Sequence, residues 1–171
     1  MKRWIAVGLL VVSMDALAVD CGTTVSSARI QEMLASMEEP SEALIRHSSS
    51  LAMQAADASK SGRIRDFNNL LMETNAVDFM HTTGGGLQST LTTAQVLAII
   101  RDRMVNRADR NVVSEYVQLW LATAERVAES SQQLANDAVP HFSTPGIAKD
   151  VAKMRDRFEA IARELEKCRK R

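Results

Sequence analysis

The feature that most constrains this chain is a run of apolar residues near its C-terminus, spaced alternately by four and by three. Ile147, Val151, Met154, Phe158, Ile161, Leu165 and Cys168 make up the run, and Lys, Arg, Asp and Glu fill most positions between them. An α-helix turns once in about 3.6 residues, so this spacing places them all on one stripe of a long helix. Such a stripe favours helices packed about 20° apart, as in left-handed bundles.

The stretch before it carries the same spacing through Val113, Val117, Trp120, Ala124, Val127, Ser131, Leu134 and Ala138. Val112, Tyr116 and Leu119 widen that stripe on one side and Leu121 on the other. A helix apolar over so wide an arc is expected to be central. Pro140 should end it, and Ser143-Thr144-Pro145-Gly146 supplies turn and capping chemistry for the next helix.

Upstream the signals are shorter. Ile30, Met33, Leu34 and Met37 predict a helix from about Ser26 to Glu38. Ser41, after Pro40, is placed to cap a second helix with the stripe Leu44, Ser48, Leu51, Ala55 and Ala58, broken by Ser61-Gly62. Ile64, Phe67, Leu70, Leu71, Val77 and Met80 mark a third. Val96, Leu97, Ile99, Ile100 and Met104 mark a fourth, from Thr93 to Asn106, and Arg107 to Arg110 is either a turn or a kink. Ala, Leu, Met, Glu, Gln and Arg are plentiful, and strand-like alternation is lacking. The expected fold is an all-α, single-domain bundle of five or six helices. Trp120 and Phe158 are expected to anchor its packing, with methionines filling the core.

The first residues have the pattern of an export signal. Lys2 and Arg3 precede the apolar run Trp4 to Met14, and Ala16-Leu17-Ala18 offers a cleavage site. The run is too short for a stable membrane span, which takes about 20 residues. Residues 1–18 are therefore expected to be a signal peptide and residues 19–171 the helical domain. Asp20 stands where a lipoprotein signal places a small residue before its cysteine, which argues against lipidation of Cys21. The two cysteines, Cys21 and Cys168, are expected to form a disulfide joining the two ends of an exported fold. The expected location is periplasmic or secreted.

The whole chain has 21 basic and 21 acidic residues. That balance gives no electrostatic case for nucleic acid or an anionic membrane surface. The last residues, Lys167, Arg169, Lys170 and Arg171, suit the negative end of a helix dipole.

No motif assigns a chemistry. His47, His81 and His141 lack a second ligand at helical spacing, and HExxH and Cys-His clusters are absent, so no metal is expected. Ser48-Ser49-Ser50 stands in no GxSxG or SxxK pattern, and Glu38-Glu39 are helix neighbours that point apart. The expectation is a non-enzymatic protein without cofactor. The segment His81-Thr82-Thr83-Gly84-Gly85-Gly86-Leu87-Gln88, continuing to Thr92, is expected to be a long glycine-rich loop. It matches neither a phosphate loop nor a dinucleotide fingerprint; it is read as a plain connector or a partner contact, and it is the first choice of contact surface.

In size, export and helicity the chain is similar to small helical periplasmic immunity proteins that neutralise secreted antibacterial effectors, although the likeness includes no motif. It implies an inhibitor acting by protein–protein binding in the cell envelope, as a monomer or small homo-oligomer. The alternatives are a periplasmic small-molecule or lipid binder, and a structural subunit of an envelope or secretion assembly.

Overall fold

The computed structural model describes residues 21–169, apart from the side chains of the last two. The expected signal peptide lies outside the described residues. Every element among them is helical: α1 (Cys21–Thr24), α2 (Ser27–Lys60), α3 (Ile64–Arg103), α4 (Arg107–Ala138), a 3₁₀ turn (Val139–His141) and α5 (Pro145–Arg169). The four long helices run up-down-up-down. α2 packs on α3, α3 on α4, α4 on α5, and α5 closes the ring against α2.

The ends follow from local chemistry. Ser26 Oγ accepts from the Arg29 backbone N–H at 3.2 Å and caps α2. At the other end Gly62 adopts φ 67°, and the Arg63 and Gly62 N–H groups donate to Ala58 and Ser59 carbonyls. This left-handed glycine cap stops α2 and reverses the chain. Asn106 Oδ1 accepts from Ala108 N–H at 2.9 Å and starts α4, so the break falls at Met104 to Asn106. Pro145 opens α5, where a missing N–H costs nothing.

The expected bundle is present, with its helices divided differently. Ser41 caps no new helix, because α2 runs through Pro40. Ile30, Met37, Leu44, Leu51 and Ala58 recur every seven residues and are all buried, so the stripe stays in phase across the proline. Nor do residues 81–92 form a loop, because α3 is helical throughout. Val77, Gly84, Leu91 and Ala98 form one seven-residue series, and Met80, Leu87, Ala94 and Arg101 form another, all of them buried. Packing on both sides of the glycines offsets their cost in a helix, about 1 kcal/mol each relative to Ala.

In α4 the buried line is Ser114, Val117, Leu121, Ala124, Ala128, Ser131 and Ala135. It is rotated from the expected seam toward smaller residues, which let neighbouring helices approach closely. Trp120 is only half-buried, and Val112, Tyr116 and Leu119 are exposed. In α5 the expected stripe from Ile147 to Leu165 is buried throughout, and Phe158 is fully so.

The disulfide is not present among the described residues. Cys21 is a free thiol buried in the core, and the side chain of Cys168 lies outside the described residues. Both cysteines do belong to one end of the bundle. Arg29 near the start of α2 pairs with Glu164, one turn before Cys168, at 3.1 Å. At that end Arg101, 4% exposed, donates to the carbonyls of Gly22 and Val25. Gly22 presses so close to α4 that an added Cβ would lie 1.9 Å from the Ser114 carbonyl oxygen. The first described residues are thus fastened to α3 by a buried cation and to α4 by contact that only glycine permits.

Candidate functional site

The residues expected to form a contact loop are instead distributed around α3. Gly84 and Leu87 face the core. A Cβ on Gly84 would sit 3.4 Å from Met154 Cε and 3.7 Å from Met37 Cε. His81 is half-buried, and its Nδ1 lies 3.3 Å from Ser41 Oγ on α2. Thr82 and Gly86 are exposed, while Thr83, Gly85 and Gln88 are half-buried. The helix therefore brings the expected residues together as parts of two faces, of which only the outer one can meet a partner.

That outer face has an unusual composition for a surface helix. From Phe79 to Ile100 there is no Asp, Glu, Lys or Arg. Thr82, Gly86, Ser89, Thr93, Val96 and Ile100 follow one another at steps of four and three along the side away from the core. Thr83, Thr92 and Thr93 donate their hydroxyls to the carbonyls of Phe79, Gln88 and Ser89 in their own helix. Those donors are thereby satisfied internally, which lowers the cost of covering the face. Phe79 stands exposed at one end, and Val96, Ile99 and Ile100 at the other. The sequence signal for this face was the missing charge, not the glycine cluster.

Two polar clusters tie helices together. His47 Nε2 donates to Asp150 Oδ2 at 2.8 Å, and Lys153 Nζ reaches Asp150 at 3.3 Å and Glu39 at 3.2 Å, joining α2 to α5. Burial works against charge on Asp150, but the hydrogen bonds from His47 and Lys153 outweigh it and hold the carboxyl below the usual carboxylate range. The Ser41–His81 pair has the distance of a nucleophile and base. However, Ser41 is buried between α2 and α3, where the pair acts as a tie between helices.

Among the described residues, no three of His, Cys, Asp or Glu gather closely enough to hold a metal ion. Among the same residues, no helix is long and apolar enough to cross a membrane. Comparison with family models, with curated proteins and with solved structures finds no match to this chain.

Proposed function

We propose that this protein is exported and works by binding another protein in the cell envelope, through the outer face of α3, without catalysing a reaction. The observation that carries this reading is the uncharged, partly apolar surface from Phe79 to Ile100 on a molecule whose residues are one-quarter charged. Large exposed apolar residues gathered on one helix mark interaction sites more often than chance exposure does. An inhibitor that covers the active site of a secreted antibacterial effector is the concrete form of the proposal. A rigid helix suits that task, since little backbone order is lost when it docks.

Export carries a second proposal with it, that Cys21 and Cys168 become joined once the protein reaches an oxidising compartment. Their placement at one end of the bundle supports it. Intact mass of the protein recovered from the envelope, with and without reductant, tests it. A difference of two hydrogens is expected, and two free thiols would reject the bridge.

The binding surface is tested by placing charge on it. Ser89→Glu and Val96→Glu should leave the helical circular dichroism unchanged. Each should cut recovery of the envelope partner by at least about tenfold, since an unpaired charge covered by an interface is costly. A recovered hydrolase that loses activity when the wild-type protein is added, and keeps it with the variants, would establish the inhibitor reading. Equal recovery by wild type and both variants would remove the α3 face from consideration.

A further inference from the structure

At its first two turns α3 extends past the end of α4. The step leaves a cleft of about 410 Å³ between α3 and the connection from α4 to α5. Glu73 lines the cleft and is 9% exposed. Its Oε1 accepts from the Ser143 backbone N–H at 3.0 Å and also from the Ser143 hydroxyl. Its Oε2 is buried and has no hydrogen-bond partner. Among the described residues no Lys, Arg or His forms an ion pair with it.

A buried carboxylate is stable when its charge and its lone pairs are both answered. Ser143 answers one oxygen, which is all that anchoring the α4–α5 connection requires. The other oxygen calls for a donor, preferably a cationic one. The same cleft is walled by Met72 and Phe142, a thioether and an aromatic ring that both accept a cation or an aliphatic stem, and by the imidazole of His141, which forms no ion pair with Glu73. An anion would meet Glu73 and be repelled.

We infer that this cleft binds a cationic nitrogen head, an ammonium or a guanidinium on a short apolar stem, with the head drawn to the Glu73 carboxylate and the stem against Met72 and Phe142. The head has two sources of the same chemistry, a free alkylamine or a lysine or arginine side chain of a partner protein. Glu73 and its neighbours here lie outside Phe79–Ile100, so this site stands or falls separately from the α3 face.

The test is titration of the full mature protein, followed by the amide resonance of Ser143. The probes are n-butylammonium, n-butanol and the blocked tripeptide Gly-Lys-Gly. Saturable shifts with a cationic probe, at least about tenfold weaker with Glu73→Gln, are expected. Tighter binding of butylammonium than of the peptide assigns the free amine as the source, and the reverse order assigns a partner's side chain. Glu73→Gln keeps an acceptor for Ser143 and should stay folded. If it does not, Ala76→Leu fills the cleft while leaving Glu73 in place, and it should abolish the shift. Butanol acting as strongly as butylammonium, no response to either cation, or binding unchanged in the variant that folds would overturn the inference.

Discussion

Helices α3 and α5 pack into one bundle by the same rule, yet they meet solvent in opposite ways. Both bury residues at steps of three and four. Outside its stripe α5 is thick with Lys, Arg, Asp and Glu, and it forms ion pairs with α2 through Asp150, Lys153 and Glu164. From Phe79 to Ile100, α3 has none of these residues. The contrast separates two requirements that usually coincide. An apolar inner stripe is sufficient to build the bundle, so a charged outer face is a choice made for solvent. Where that choice is not made, another surface is expected to cover the helix.

The sharpest way to break the comparison is to delete core volume from each helix. Phe158→Ala in α5 should cost about 3–5 kcal/mol, and Leu87→Ala in α3 about 2–5 kcal/mol. Urea denaturation gives both values. A loss well under 1 kcal/mol for Leu87→Ala would place that residue outside the core and dissolve the likeness between the two stripes.

The next effect concerns how each stripe ends. The α5 stripe is apolar as far as Leu165, whereas the α3 stripe finishes on the buried Arg101. Arg101→Ala should cost about 2–3 kcal/mol, because the Gly22 and Val25 carbonyls lose charged donors while remaining buried. Limited proteolysis should then cut within Cys21 to Val25 well before the remaining bundle. Unchanged stability together with unchanged cleavage would show that Arg101 does not hold that segment.

Much of this architecture was legible in the residues. The α5 stripe could be read from Ile147 to Leu165 because charged neighbours outline it. In α2 and α3 the local breakers misled. Pro40 and the glycines Gly84 to Gly86 signal interruption when weighed alone. The seven-residue recurrences from Ile30 to Ala58 and from Val77 to Ala98 cross both points without a phase change. Long-range phase is the stronger signal, because packing along a whole helix outweighs a few unfavourable residues. In α4 the large residue Trp120 drew the expected seam to one side: Val117, Ala124 and Ser131 belong to both lines, but Ser114, Leu121, Ala128 and Ala135 are buried in place of Val113, Trp120, Val127 and Leu134. Glu73 could not be found from sequence at all. Its isolation depends on α4 being shorter than α3 and on where Ser143 falls after the turn.

A smaller effect is expected on the α5 side. Asp150→Asn should cost about 0.5–1 kcal/mol near neutral pH, as partly exposed ion pairs do. The folded carboxyl titrates below its ordinary value of 3.8. Its contribution is therefore full above that value and is lost as pH falls through the folded one. Denaturation midpoints of wild type and variant should differ at pH 7 and converge as the solution is acidified. A gap that persists in strong acid would assign the effect to packing instead of charge.

The central claim is that α3 continues as helix through its glycines and so presents a single uncharged face. Gly85 and Gly86 have no positive φ, and an added Cβ at either would meet nothing within 4 Å. The denaturation midpoint of the double variant Gly85→Ala, Gly86→Ala is the most direct measurement. The helix predicts a gain of about 1–2 kcal/mol, from the better helix propensity of alanine and a less flexible unfolded chain. A loss of stability would mean that these positions need conformations open only to glycine, and that the face does not exist as described.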